Sequence, residues 1–206
     1  GRRHGGIEAT CEIVVPEGED AEARRLRIRN RSVDPRRIEV TVVAELVVGH
    51  RGGDQGHPAF SKLFVETAAQ ASGVLTARRR PRSRNESPLW AAAALHGAGE
   101  LQFETDRDRF VGRGRSLHDP VAMLAEGPLS GTVGSVLDPV FALRRVVEAR
   151  AGQPLLVRVL GSAAQQETPV TGETAAAVPP PPPPSVVVAT AVETSAAASG
   201  SSEVSV

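Results

Sequence analysis

The residues best suited to chemistry fall between Phe103 and Arg115, where Glu104, Asp106 and Asp108 alternate with Arg107, Arg109, Arg113 and Arg115. Carboxylates and guanidinium groups at this density can lock a loop through bidentate hydrogen bonds, and the two glycines let the backbone turn sharply. The same groups can also face the hydroxyls of a sugar. Glycosidic bond chemistry would need two carboxyl groups on opposite sides of a scissile bond, and Glu104 with Asp108 is the pair to consider. Nothing in the spacing places those two across a pocket. The expectation is therefore a structured loop that can contact a ligand, with no catalytic residue.

Two other clusters read more plainly. His50, Asp54 and His57 lie in the glycine-rich stretch Gly49–Pro58. Their spacing is irregular and no further ligand is in sight, so a surface loop is expected and no metal site. Arg78–Arg79–Arg80–Pro81–Arg82–Ser83–Arg84 is the strongest basic run. No aromatics interleave it, so a solvated strand end is expected and no nucleic-acid footprint. No nucleophile elbow, phosphate-binding loop or dinucleotide fingerprint is present. Gly112–Arg113–Gly114 lacks the third glycine of such a fingerprint. No cofactor is expected.

The elements that must position these groups are strands. Arg25–Leu26–Arg27–Ile28–Arg29–Asn30 alternates charged and apolar residues, as does Ile38–Glu39–Val40–Thr41–Val42, and the turn signal Asn30–Pro35 joins them. Period-two alternation marks strands with one wet face, and the two are expected to form an antiparallel hairpin. Further strands are expected at Leu63–Thr67, Val74–Arg79, Leu89–Leu95, Leu101–Thr105, Thr132–Val136, Pro139–Ala149 and Leu155–Leu160. Trp90–Leu95 has helical propensity locally. Its place between turns, and the family resemblance given below, make it a strand. Many short strands separated by turns indicate an all-β sandwich or barrel.

Composition sets the limits. The chain of 206 residues has 24 basic and 24 acidic side chains, which excludes a global field for nucleic acid or membrane. Cys11 is the single cysteine, so no intramolecular disulfide is possible. No run of about 18 apolar residues exists, so no membrane segment is expected. After Arg158 no basic residue occurs, and Pro179–Pro184 is an uninterrupted proline run. Residues 162–206 are therefore expected to form a disordered, low-complexity tail behind a folded unit at 1–161.

Several blocks resemble glycoside hydrolase family 94, formerly glycosyltransferase family 36. They are Arg25–Ser32 with Ala44–Val47, His57–Thr67 (HPAFSKLFVET), Arg78–Ser83 with Pro88–Ala91, Glu104–Arg115, and Pro128–Arg145, in the family's order. The combination is most similar to the cyclic β-1,2-glucan synthases. The resemblance implies a galactose-mutarotase-like β-supersandwich, truncated here, with its first strands preceding Gly1. It also implies a non-catalytic module that packs against an (α/α)6 barrel carrying the catalytic aspartate, and that helps to hold a β-glucan or gluco-oligosaccharide. Asp106, Arg109, Arg113 and Arg115 are then the candidate sugar- or barrel-facing residues. Where the family continues into the barrel, this sequence turns to Ser162–Glu167 and the proline-rich stretch, so the chain alone is expected to be inactive. A purely structural scaffold without sugar binding is the alternative. A cytoplasmic location is expected, with full-length relatives associated with the inner membrane.

Overall fold

A computed structural model describes residues 1–49, 56–81, 83–84, 88–165 and 189–195. Among the described residues, eleven strands and three short helices run in the order β1 (Arg2–His4), β2 (Ile7–Val14), β3 (Ala21–Asn30), β4 (Arg36–Glu45), α1 (Pro58–Lys62), β5 (Val65–Ala69), β6 (Val74–Arg79), β7 (Leu89–His96), β8 (Glu100–Asp106), α2 (Arg107–Val111), α3 (Val121–Leu124), β9 (Pro139–Ala149), β10 (Pro154–Gln165) and β11 (Ala189–Ser195). They form two antiparallel sheets. Sheet A has seven strands in the order β1-β2-β3-β10-β7-β6-β5, and sheet B has four in the order β11-β4-β9-β8. This is the expected all-β sandwich.

Alternation decides what each strand buries. On β3, Leu26 and Ile28 face the core while Arg25, Arg27 and Arg29 face solvent. Ile38, Val40, Val42 and Ala44 of β4 meet them from sheet B, together with Phe141, Leu143 and Val147 of β9. Burying such a side chain contributes about 1.5–3 kcal/mol each, which offsets the entropy of ordering the chain.

The hairpin expected from β3 and β4 does not form. β3 pairs with β2 and β10 in sheet A, whereas β4 pairs with β9 and β11 in sheet B. The turn between them is an arch from one sheet to the other. Asn30, 0% exposed, holds it by donating from Nδ2 to the carbonyls of Asp34 (2.7 Å) and Ala149 (2.9 Å), while its Oδ1 accepts from Ser32 N at 3.0 Å. An arch and a hairpin share the same turn residues and the same flanking alternation, so the pattern does not separate them.

Two other expectations need correction. The stretch before β5 is helix α1, with Pro58 in its first turn where a missing N–H costs nothing, and the strand runs Val65–Ala69. Thr132–Val136 is no strand and contributes only the isolated bridge Thr67↔Gly134. Strand β10 crosses Gly161 to reach Gln165, and β11 follows at Ala189–Ser195.

Strand β9 is buried on both faces because residues 107–138 fold over the outer side of sheet B. Phe110 and Val111 of α2 pack there on Val43, Val140 and Ala142, with Leu117, Ala122, Met123 and Leu129 around them. Gly112 ends α2 at φ 87°, where any Cβ would come within 3.1 Å of Val121, so a glycine is required. The consecutive residues Arg144 and Arg145 serve opposite faces. Arg145 crosses to sheet A, donating from Nε to Leu95 O at 2.9 Å, while Arg144 reaches into this covering segment.

Candidate functional site

Antiparallel pairing brings the end of β4, the end of β8 and the start of β9 to one end of the sandwich. Arg107 links them. Its Nε donates to Glu45 at 2.9 Å and lies 3.9 Å from Asp138, and its backbone N–H donates to Asp138 O at 3.0 Å. Asp138 also accepts from Lys62 Nζ of α1 at 2.6 Å. These residues lie far apart in sequence, and that spacing gives no sign that Lys62, Glu45 and Asp138 are partners. One signal was available, since Lys62 is the only lysine in the chain.

The same end is stitched across the two sheets by hydroxyls. Thr67 Oγ1 of β5 lies 2.6 Å from Thr105 Oγ1 of β8, and Thr105 Oγ1 donates to Thr132 O at 2.8 Å. Thr67 and Gly134 exchange both backbone hydrogen bonds at 2.9 Å. The block Pro128–Arg145 is thus used largely to close one side of the sandwich.

Glu104 is 1% exposed and its Oε1 accepts from the backbone N–H groups of Thr105 and Asp106, each at 2.8 Å; Oε2 accepts from Ser130 Oγ. A carboxylate so enclosed is a structural acceptor. Asp108, in contrast, sits exposed on α2. The two do not form a matched pair for glycosidic chemistry.

Of the four candidates, Asp106 caps α2 by accepting from Asp108 N at 3.0 Å and lies 3.6 Å from Arg109 Nε. Arg109 is 60% exposed on that helix. Arg115 donates to Asp119, at 3.1 Å to its carbonyl and 3.2 Å to its carboxylate. Arg113 is exposed and has no ion-pair partner among the described residues. The structure therefore joins Asp106 with Arg109, and gives Arg115 a separate local partner.

Behind them Arg144, 1% exposed, anchors the covering segment. It donates to Ala122 O at 2.6 Å, Gly127 O at 3.4 Å and Thr41 Oγ1 at 3.2 Å, and its Nη1 stands 3.5 Å from Glu39. Burial pulls its pKa below the usual arginine value, and Glu39 opposes that pull. The basic run from Arg78 is equally engaged. Arg78 donates to Glu66 at 3.0 Å and lies over the Trp90 ring at 5.6 Å, and Arg80 pairs with Glu66 at 3.3 Å. His50, Asp54 and Arg82 lie outside the described residues, and His57 is exposed.

The family model for the glycosyl hydrolase 94 supersandwich domain matches residues 1–174. The chain belongs to this family. It is also 39% identical over 158 residues to the cyclic beta-(1,2)-glucan synthase NdvB of Rhizobium meliloti (strain 1021). That alignment covers 74% of this chain and 6% of the relative's length. The supersandwich match takes in β1 through β10 and leaves β11 outside. No helix among the described residues is long and apolar enough to cross a membrane.

Proposed function

We propose that this supersandwich domain is a non-catalytic, carbohydrate-contacting module of a β-glucan-processing enzyme. The observation that supports it is the division of labour within Phe103–Arg115. Glu104 and Phe110 point inward and fix the frame, while Asp106, Arg109, Arg113 and Arg115 stand on its outer side. Planar carboxylate and guanidinium groups on a rigid frame suit the paired hydroxyls of a sugar, which accept and donate in the same plane. The glucan synthase named above makes a β-1,2-linked glucan the substrate class to try. Bond making and breaking would belong to an (α/α)6 barrel of the full-length enzyme, and a cytoplasmic setting goes with this reading.

A scaffold role is the second reading, and a specific feature favours it. Phe60 (50% exposed), Leu63 (44%) and Leu137 (79%) are the chain neighbours of Lys62 and Asp138, which form an ion pair. Apolar side chains around a charge pair suit a surface that packs against another protein module.

Amide shift mapping by NMR separates the two. Titration with a β-1,2-linked gluco-oligosaccharide should move Asp106, Arg109 and Arg113 first. Shifts absent there, or confined to Phe60, Leu63 and Leu137, would reject the sugar-contact reading.

A further inference from the structure

Sheet B has two outer edges, and they are closed in different ways. Along β8 the closure comes from inside the matched domain, where Gly131 N donates to Phe103 O at 2.9 Å and Leu129 N to Gln102 Oε1 at 3.3 Å. Along β4 the neighbour is β11, antiparallel in register from Ala189↔Glu45 to Ser195↔Glu39. β11 lies beyond the residues that the supersandwich family matches.

The β4 edge carries none of the usual protection. Between Glu39 and Glu45 it reads Val40–Thr41–Val42–Val43–Ala44, with no proline, charge or bulge. Those five side chains are buried on both faces, some in the main core and Val43 under the covering segment. A flat, apolar, β-branched edge of this kind is a template for another strand, and its backbone N–H and C=O groups need partners. The burial of β4 side chains is supplied by sheet A, β9 and the covering segment, so a strand on this edge contributes chiefly main-chain pairing.

We propose that the outer edge of β4 is a strand-acceptor site for an extended peptide, with Ala189–Ser195 as its resident occupant. The occupant is bound in cis and can leave without unfolding the sandwich. The chemistry it selects is backbone pairing over seven positions with small and β-branched residues, which the sequence Ala-Thr-Ala-Val-Glu-Thr-Ser provides. This inference stands apart from the sugar-contact reading.

The test uses the full chain carrying Val192→Pro and Glu193→Pro together. Adjacent residues of a strand point their N–H groups to opposite sides, so one of the two prolines removes a donor aimed at β4. In the unsubstituted chain, amide hydrogen exchange should be slow throughout Glu39–Glu45. In the double variant every second amide of that stretch should exchange at least about 100-fold faster, while the interleaved amides bonded to β9 stay protected. Millimolar acetyl-ATAVETS-amide should restore the lost protection. Unchanged exchange would overturn the proposal. So would loss at every amide together, because β11 would then be an integral strand. Protection of the unsubstituted chain that rises with protein concentration would move the occupant to a second copy and overturn binding in cis.

Discussion

Thr41 and Arg144 stand directly opposite each other in the β4–β9 register, and Arg144 donates from Nε to Thr41 Oγ1 at 3.2 Å with both side chains buried. The pair lies beneath residues 107–138, and the remaining donors of Arg144 hold that segment by the carbonyls of Ala122 and Gly127. Arg144→Ala should therefore cost about 3 kcal/mol, because it leaves buried acceptors without their charged donor and Glu39 with Arg37 as its remaining cation. The measurement is denaturant unfolding beside limited proteolysis. Cleavage should appear within 112–130 before the rest of the domain is cut. A variant with unchanged stability and unchanged cleavage would contradict this anchoring role.

Glu104 gives a graded test. Glu104→Ala removes the acceptor for two backbone N–H groups and one hydroxyl, and should cost about 2–3 kcal/mol. Glu104→Gln keeps one acceptor oxygen and should lose roughly half as much. Thermal melts of the two variants distinguish this order from the reverse. Equal, negligible losses would show that the carboxylate does not organise the loop.

At the β3–β4 arch, Asn30 both donates and accepts. Asn30→Asp replaces the amide donor with an acceptor facing the carbonyls of Asp34 and Ala149, so it should destabilise more than Asn30→Ala, by about 1 kcal/mol or more at neutral pH. Equal unfolding midpoints for the two variants would count against the amide's donor role.

How far the sequence was legible follows from such cases. β7 was placed by its flanking turns and the family resemblance, because Trp90–Leu95 reads locally as helix, and β9 by period-two alternation at Phe141, Leu143, Arg145 and Val147. Alternation could not say which sheet a strand joins, so the same alternation and the same turn gave a hairpin where Asn30 builds an arch. The covering segment was also out of reach. Arg144 sits in an alternating strand and nothing local marks it as buried, since the groups that bury it come from Ala122 and Gly127. Of the candidate site, the Asp106–Arg109 pairing was implicit in close spacing. The Lys62–Asp138–Arg107–Glu45 network was not, because only the antiparallel topology makes those residues neighbours.

Acid response has a defined sign at Glu8. The hydrogen bond from Arg31 lowers its pKa below the usual carboxylate value, burial opposes this, and the charges of Arg31, Arg3 and Arg29 add to the lowering. A lowered folded-state pKa contributes stability that is fully present above the unfolded value of about 4.3 and is lost as pH falls through it toward the folded value. Glu8→Gln should flatten that part of the stability–pH curve while leaving the slope above pH 6 unchanged. Identical acid limbs for the two proteins would rule out a contribution from this ion pair.

The proposed contact between a glucan and the outer side of Phe103–Arg115 has a direct binding readout. Calorimetric titration of the chain with a β-1,2-linked gluco-oligosaccharide tests it most directly. A saturable isotherm with a Kd of about 1 mM, weakened about 5-fold or more in Arg109→Ala/Arg113→Ala at unchanged stability, is the predicted result. A flat trace for the unsubstituted chain at ligand concentrations of about 10 mM, or equal binding by the double variant, would contradict it.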